Sequence, residues 1–394
     1  MSDSCCTPEG PSCCKGPERD RPHTRQFNDC CLSSDPEPCC DGPVREKTGL
    51  PPSTIGTVTT AAGPVPRVTS RFTGRDRLGI WKVRWGLGRM DYTVPPGLYA
   101  LGDPDARSEV LVTANYRMTF DLLRRAAGDL NAWILVLNTM GVNVWCAAGK
   151  GNFGTGELSG RIVSTRLSQV VEHRRLIVPQ LGAVGISAHE VKQKTGFEVI
   201  YGPVEAVDIR VFLEAGRRAT SAMRRKDFPL SERAALVPME VIPALKWAAL
   251  AVVLMALVGG LAGPGRFLED AARFGLESTV LLVMALISGS VLVPVLLPWI
   301  PGRAFSVKGA VTGMAAAALI PVWTQSASLK GASWTLFIIA VSSFLAMNFT
   351  GSSTYTSLSG VKREMNMALP AQLVALIAGF MFWIGTVFFG GGVA

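Results

Sequence analysis

AWILVLNTMGVNVWCAAGK, residues 132–150, joins an apolar strand pattern to a short helix pattern through a polar loop. The strand covers Ala132–Asn138, and Asn143 after the loop is a residue type favoured at the first, non-helical position of a helix. We expect the helix to stop at Gly149, since glycine commonly ends helices. Cys146 lies in the first helical turn, on the same face as Asn143. The stretch predicts one thiol at the carboxyl end of a strand, where the helix dipole would favour its thiolate form.

The surrounding sequence, from residue 71 to about 228, alternates short apolar runs with helix-length amphipathic segments. Further strand patterns occupy residues 108–115, 176–179 and 197–201. Helix patterns occupy residues 118–130, 157–171, 188–194 and 206–215. Strands separated by helices predict an α/β domain with a doubly wound parallel sheet, in which ligands bind at the carboxyl ends of the strands.

The last third of the chain contains five apolar runs, and a span of a bilayer core about 30 Å thick needs roughly 20 such residues. The runs are Leu245–Leu261, Thr279–Ile300, Ala310–Trp323, Trp334–Phe349 and Gln372–Phe389. Basic residues cluster just before the first run, which is typical of a segment held at the cytoplasmic face. They are Arg217, Arg218, Arg224, Arg225, Lys226 and Arg233. The pattern predicts a linker over residues 229–244 and an all-α transmembrane domain of about five helices over residues 245–394, with the preceding domain in the cytoplasm.

Composition excludes several classes of protein. Of 394 residues, 48% are hydrophobic and 18% are charged, below the roughly 25% charged residues of ordinary soluble proteins. These values exclude a wholly disordered chain, a collagen-like fibre and a small disulfide scaffold. The net charge of +9 could indicate nucleic-acid binding, but no basic surface interleaved with aromatic residues stands out. We therefore predict no nucleic-acid partner.

The chemistry open to Cys146 is limited by what accompanies it. A single cysteine cannot complete a tetrahedral zinc site, which needs four protein ligands, and a buried structural thiol is the common alternative. Gly149–Gly154 fits the dinucleotide pattern G-x-G-x-x-G, but the next strand ends in Pro179 and Gln180 without the acid that would hold a ribose. The cobalamin-binding motif D-x-H-x-x-G, which supplies a histidine ligand, is absent from the sequence.

NVWCAAGKGNFGT, with VTANYRMTFDLLRR before it and HRRLIVPQLGAVGI and EVIYGPVEAVDIRVFL after it, resembles the corrinoid-binding domain of the mercury-methylating corrinoid protein family. That family is related to the large subunit of the corrinoid iron–sulfur protein of the acetyl-CoA pathway. The resemblance runs from about residue 108 to the C-terminus and includes NFTGSSTYTSLSGVKREM between the last two runs. It implies a corrinoid of the cobalamin type, with Cys146 as catalytic residue and lower axial ligand to cobalt. The residues it implies at the cofactor are Asn143, Val144, Trp145, Cys146, Ala147, Ala148, Gly149 and Lys150.

The resemblance further implies a corrinoid-dependent methyltransferase at the cytoplasmic membrane, which transfers a methyl group from cobalt to Hg(II) and gives methylmercury. An axial thiolate donates electron density more strongly than imidazole, and the axial ligand is a main way for a protein to tune such a cofactor. Two partners are implied: a ferredoxin-like electron donor with two 4Fe–4S clusters and a methyl donor linked to methyl-tetrahydrofolate. Two alternatives stay open: a corrinoid methyl carrier of one-carbon metabolism, and a metal permease with a thiol-rich cytosolic domain.

Residues 1–70 are rich in proline, glycine and serine, and we predict that they are disordered. Eight of the nine cysteines form four adjacent pairs there, which the family resemblance does not cover: Cys5 and Cys6, Cys13 and Cys14, Cys30 and Cys31, Cys39 and Cys40. The N-terminus contains no apolar signal-peptide core, which favours a reducing cytosol and free thiols. The pairs are either a mobile arm that captures Hg(II) for the corrinoid, or a poorly selected tail, or they bind zinc loosely.

Overall fold

The computed structural model describes residues 49–263, 265–320, 329–349 and 358–389. A seven-stranded sheet in the order β1-β2-β3-β5-β4-β6-β7 is the centre of its first part. The strands are β1 (Thr54–Thr60), β2 (Gly63–Val68), β3 (Gly97–Leu101), β4 (Glu109–Ala114), β5 (Ala132–Leu137), β6 (Arg175–Val178) and β7 (Glu198–Tyr201). β4 to β7 run parallel, which confirms the predicted parallel sheet. β3 is antiparallel to β5 and β1 is antiparallel to β2, so the sheet as a whole is mixed.

Helices cover both faces of this sheet. They are α1 (Gly74–Arg84), α2 (Arg117–Ala126), α3 (Val144–Lys150), α4 (Thr155–Ser164), α5 (Leu167–Val170), α6 (Ala188–Thr195) and α7 (Ile209–Glu214). α2 and α7 bury Phe120 and Phe212 on one face, whereas α3, α4 and α6 bury Ala147, Leu158 and Val191 on the other. The connection from β5 to β6 crosses β4, so the four parallel strands are doubly wound, as predicted. The strand order reverses between β4 and β6, and ligands bind at such a point in open α/β sheets.

The predicted disorder of residues 1–70 is wrong for residues 54–68, which form the β1–β2 hairpin. Threonine and valine dominate these strands, and β-branched side chains favour strands. Pro64 and Pro66 lie opposite Thr59 and Thr57 of β1, whereas β2 pairs with β3 only at Arg67 and Val68, so no N–H group is needed on the β3 side at the two prolines. The four cysteine pairs lie outside the described residues.

Long helices form the second part of the chain: α8 (Leu230–Ala262), α9 (Phe267–Leu286), α10 (Phe305–Ala317), α11 (Leu329–Phe349) and α12 (Leu358–Phe389). A π-helical turn, Ile287–Leu292, and a last helical turn, Val293–Val295, directly follow α9. The continuous helical stretch that starts with α9 therefore ends at Val295. Among the described residues, four helical stretches are long and apolar enough to cross a membrane: Leu230–Ala262, Phe267–Val295, Leu329–Phe349 and Gly360–Thr386. The run Ala310–Trp323, predicted as a fifth span, overlaps α10, which has only 13 residues; its last three residues lie outside the described part.

Most of the segment predicted as a linker, residues 229–244, belongs to α8, which begins at Leu230 and continues past Pro238 and Pro243. Tertiary contacts stabilise its first turns, because Leu236 packs with Phe228 against a core cluster of the helical part. Arg233 is buried and donates hydrogen bonds from Nη1 to the carbonyl oxygens of Pro294 (3.1 Å) and Val295 (2.8 Å). A cation is favourable at the C-terminal end of a helix, so Arg233 fixes the start of α8 against the end of α9.

Candidate functional site

The loop between β5 and α3 is fixed by buried amide and hydroxyl groups at the carboxyl end of β4. Asn115 follows β4, and its Oδ1 accepts hydrogen bonds from the backbone N–H groups of Thr139 (3.1 Å) and Gly141 (3.0 Å). The Thr139 hydroxyl also lies 2.8 Å from this oxygen. Glu157 of α4 accepts a 2.8 Å hydrogen bond from the backbone N–H of Asn138. These contacts hold the start of α3 at the point where the strand order reverses.

α3 has the predicted N-terminus and a later end than predicted. Asn143 Oδ1 accepts a 2.9 Å hydrogen bond from the backbone N–H of Cys146, which confirms Asn143 as the N-cap. The predicted stop at Gly149 is wrong, because the helix continues to Lys150 and Gly151 supplies the left-handed conformation at φ 84°. Glycine adopts this conformation without the steric cost of a Cβ atom.

The side chains of α3 divide into a buried and an accessible set. Three residues of the predicted cofactor site are buried in the core: Val144, Ala147 and Ala148. Their side chains pack in the same core cluster as the strands of the sheet and fix the helix there. The accessible set is Asn143, Trp145, Cys146, Gly149 and Lys150, of which the first three are half-buried and the last two exposed. The structure therefore presents the thiol of Cys146 at the surface of a rigid helix.

The thiol of Cys146 is free and half-buried. Its pKa is not lowered, contrary to what the helix dipole alone would predict. Burial raises the pKa of Cys146, and this effect outweighs the positive charges of Lys150 and Arg89 and the hydrogen bond with Asn143, which act in the opposite direction. The expectation of a dipole-stabilised thiolate is wrong for this state of the chain, because desolvation disfavours the charged form.

We expect Cys146 of the cofactor-free chain to react with iodoacetamide more slowly at neutral pH than a cysteine in a short peptide, because the thiolate is the nucleophile. The rate should increase with pH, and this increase should occur at a higher pH than for an ordinary cysteine. Arg89→Gln should raise the pKa further, since the Arg89 charge lowers it. Mass spectrometry of the peptide containing Cys146 measures the rate, and Arg107→Gln, at an exposed arginine paired with Glu172, is the control. A titration at or below the peptide value contradicts this prediction.

Two glycines after β6 allow the next loop to lie directly against α3. A Cβ atom on Gly185 would clash with the carbonyl oxygen of Phe153 and approach Ala148 Cα to 3.2 Å. A Cβ atom on Gly182 would come within 3.3 Å of Val144 and clash with the Phe153 ring. The loop after β6 therefore packs directly against α3 at Val144 and Ala148. Nothing in the local sequence marks these glycines, because only the fold brings them to α3.

Gly185→Ala is expected to lower the free energy of opening of α3 by about 2 kcal/mol, because the added methyl group meets backbone atoms that cannot rotate away. Amide hydrogen exchange of residues 144–151 in the full chain measures this free energy. Gly156→Ala is the control, since a Cβ atom there meets nothing within 4 Å. Equal exchange in the two variants would show that the loop does not support α3.

The donor set of this site fits a corrinoid better than a simple metal ion. In the part of the chain that the structure describes, no group of three or more His, Cys, Asp or Glu residues could hold a metal. His173 is used structurally, with Nε2 2.9 Å from the carbonyl oxygen of Ser108, and His189 is exposed on α6. A zinc site would need further ligands. A corrinoid would need at most one ligand from the protein, and the Cys146 thiol could supply it.

Arg89 connects this site to the helical part of the chain and was missed by sequence analysis. Its charge acts on Cys146, and its Nη1 lies 3.8 Å from Met239 Sδ of α8. Nothing in the local sequence identifies it, because it precedes Cys146 by more than fifty residues. The segment just before β3 therefore contacts α8 near Met239.

The α/β part of the chain is similar to known proteins. Residues 88–213 match the family described as CO dehydrogenase/acetyl-CoA synthase delta subunit. The acetyl-CoA decarbonylase/synthase complex subunit gamma of Methanopyrus kandleri is 36% identical over 124 residues, which are 31% of this chain and 26% of that protein. The protein of the same name from Archaeoglobus fulgidus is 32% identical over 128 residues, 32% of this chain and 27% of that protein.

The corrinoid/iron-sulfur protein large subunit of Moorella thermoacetica is 29% identical over 120 residues, 30% of this chain and 26% of that protein. The chain thus spans about a quarter of the length of these curated relatives. The matched residues include β3 to β7, and so the loop between β5 and α3, α3 itself and Cys146. The expected similarity to the corrinoid iron–sulfur protein large subunit is confirmed, whereas similarity to a mercury-methylating branch stays a prediction. Residues 88–213 of this chain are similar to a corrinoid-related family of one-carbon metabolism.

Proposed function

We propose that this chain is a membrane-anchored, corrinoid-dependent methyltransferase whose methyl acceptor is Hg(II), giving methylmercury. The observation that carries the proposal is the free thiol of Cys146, half-buried on α3 at the carboxyl edge of the parallel strands, the edge at which doubly wound sheets bind ligands. Similarity of residues 88–213 to corrinoid-related proteins supports the choice of cofactor. The sequence resemblance described above supports the choice of mercury.

The residues of the site would have distinct tasks. Cys146 would be the ligand that this chain gives to cobalt, and Asn143, Trp145, Gly149 and Lys150 would contact the cofactor around it. When bound, the corrinoid supplies a transferable methyl group. Ligation requires Cys146 to lose its proton, and the charges of Lys150 and Arg89 favour the thiolate. The buried residues of α3 keep the sulfur in place.

The wider setting belongs to the same proposal. The membrane-length helices would span the cytoplasmic membrane several times, with the α/β part in the cytoplasm next to the basic residues that precede α8. A ferredoxin-like protein with two 4Fe–4S clusters would reduce the cofactor, and a donor linked to methyl-tetrahydrofolate would supply the methyl group. Protein partners are consistent with relatives named as subunits of a complex.

A second candidate is a corrinoid methyl carrier of one-carbon metabolism without a mercury substrate. The comparisons favour it, because the relatives are named as parts of an acetyl-CoA decarbonylase/synthase complex or as a corrinoid/iron-sulfur protein. It uses the same cofactor and the same thiol as the first candidate. Only the methyl acceptor separates the two functions.

The deciding experiment measures cofactor and acceptor separately. The full chain is purified in nanodiscs, its cobalt content is determined, and isotopically labelled methyl groups are followed after loading with methylcobalamin. Methylmercury from Hg(II), with no transfer to tetrahydrofolate, supports mercury methylation. Transfer to tetrahydrofolate alone supports the methyl carrier and excludes the first proposal. A cobalt-free chain that, after transfer to sealed liposomes, transports metal ions across the bilayer excludes both and supports the permease.

The four N-terminal cysteine pairs extend the proposal to substrate capture, since soft thiolates are the ligands that soft metals prefer. A variant with serine at all eight positions is expected to lose methylmercury formation at low Hg(II) and to regain it at high Hg(II). The cobalt content should not change. An unchanged rate at low Hg(II) would show that the pairs do not capture the substrate.

A further inference from the structure

α1 carries an exposed apolar stripe that the proposed reaction does not use. Leu78, Trp81 and Trp85 follow one another at intervals of three and four residues, which places them on one helix face. Their exposed fractions are 63%, 63% and 45%, and the two tryptophan rings stack with centroids 6.0 Å apart. Leu87, just beyond the helix, is 59% exposed. An exposed cluster of large apolar side chains marks an interaction surface.

Basic residues flank this stripe on both sides. At 100° per residue, Arg75 and Lys82 lie along one edge of the stripe and Arg77 and Arg84 along the other. The opposite face is turned into the protein, where Val83 and Asp76 are buried. Asp76 is the one acidic residue of α1, and it is paired with Arg117 and Arg124. The exposed surface of α1 is therefore apolar in the middle and positively charged along its edges.

The position of α1 relates this surface to the first membrane-length helix. α1 packs against α8, and Arg89, five residues after α1, contacts Met239. Met239 precedes the apolar run Leu245–Leu261 by six residues, or about 9 Å along a helix. The polar layer on each side of a bilayer core is roughly 5–8 Å thick. α1 therefore lies close to the depth of the lipid headgroups.

We propose that α1 is an interfacial helix whose Leu78–Trp81–Trp85 stripe inserts into the cytoplasmic leaflet while its flanking arginines and lysine bind anionic headgroups. Tryptophan is enriched at membrane interfaces, and basic residues beside an apolar face are typical of helices that lie in the membrane plane. The charge of the flanks matches an anionic lipid surface, and the contact with α8 makes this surface continuous with the proposed membrane attachment, on which the inference rests.

The test replaces Trp81 with the photoreactive residue p-benzoylphenylalanine in the full chain, inserted in nanodiscs of phosphatidylcholine and phosphatidylglycerol. Val163 on α4, which is 68% exposed, receives the same residue as the control. After irradiation, mass spectrometry counts lipid adducts at each position. We expect on the order of ten-fold more lipid adduct at position 81 than at position 163. In phosphatidylcholine alone the yield at position 81 should fall by roughly five-fold, the effect of about one basic residue near an anionic surface.

The other outcomes have defined meanings. Adducts at position 81 with a second copy of the chain or with an added ferredoxin, and not with lipid, overturn the inference and identify a protein-binding surface. Equal lipid adducts at positions 81 and 163 also overturn it. Co-elution of the chain with the nanodisc is scored first, because a chain that does not enter the nanodisc refutes membrane attachment itself. A chain that enters but gives no lipid adduct at position 81 refutes only the role of α1.

Discussion

Cys146→Ala is expected to lower methylmercury formation by at least about 100-fold. Loss of a residue that only hydrogen-bonds a metal ligand already lowers activity by up to about 100-fold, and loss of the ligand itself should lower it at least as much. The variant removes the proposed axial sulfur and little else. Asn143 caps the helix through the backbone N–H of residue 146, and alanine retains that group and favours helices. The fold of α3 should therefore survive. Initial rates, the cobalt content and the cobalt–sulfur signal in X-ray absorption measure the outcome.

Cys146→His tests whether position 146 acts through ligation. Imidazole can bind cobalt from the same helix position, so cobalt content should recover further than the reaction rate, because imidazole donates more weakly than thiolate. The variant with serine at the eight N-terminal cysteines is the control for nonspecific thiol effects and should keep its cobalt–sulfur signal. A Cys146→Ala variant that keeps both the rate and that signal would falsify the assignment of the ligand.

Local features of the site were predictable from the sequence. Asn143 acts as an N-cap through an atom three residues away, and the apolar strand Ala132–Leu137 has all six residues buried. Both depend on neighbours within a few positions. The membrane-length helices were also predictable, because apolar length is a property of a continuous stretch. The strands β1 and β2 were missed because proline and glycine outweighed their β-branched residues.

Features that depend on distant contacts were not predictable. Gly185 reaches α3 only after the sheet has formed, and Arg89 approaches Cys146 from a separate segment. The predicted direction of the Cys146 pKa shift was wrong, because it depends on contacts between distant parts of the chain. Position in a helix is visible in the sequence, but burial of the thiol is a product of the whole fold. α8 extends into the predicted linker because Leu236 packs against residues of other helices.

A buried ion cluster joins α1 and α2 beneath the stripe of α1. Arg124 is fully buried and donates from Nε to Asp121 Oδ1 at 2.7 Å, and its Nη2 lies 3.0 Å from Asp76 Oδ2. Its Nη1 donates to the carbonyl oxygens of Thr69 (2.6 Å) and Arg71 (3.1 Å). Burial raises the pKa of Asp121 despite the opposing charge of Arg124. Arg124 thus fixes the segment between β2 and α1 to α2.

Arg124→Met is expected to destabilise this region by about 3–5 kcal/mol, because it breaks two buried ion pairs and leaves Asp76 and Asp121 with Arg117 as their one remaining partner cation in this cluster. The loss should shrink as the pH falls. Without Arg124 the pKa of Asp121 rises further above its unfolded value, and a carboxyl with a raised pKa is more stable in the folded state when protonated. Amide hydrogen exchange of α2 in the full chain, compared at about pH 7 and about pH 5, measures both effects.

Arg125→Met is the matched control for this prediction, since the next residue along α2 is exposed and only stacks on Phe72, with its guanidinium carbon 5.1 Å from the ring centroid. An exposed cation–π contact contributes about 0.5–1 kcal/mol, so the control should lose no more than that and show no pH dependence. Similar losses in both variants would mean that the buried cluster adds nothing beyond packing. A loss confined to Arg124→Met, and smaller in acid, means that α1 is fixed to the α/β part by charge pairing rather than by its apolar stripe, which leaves that stripe free to meet the membrane.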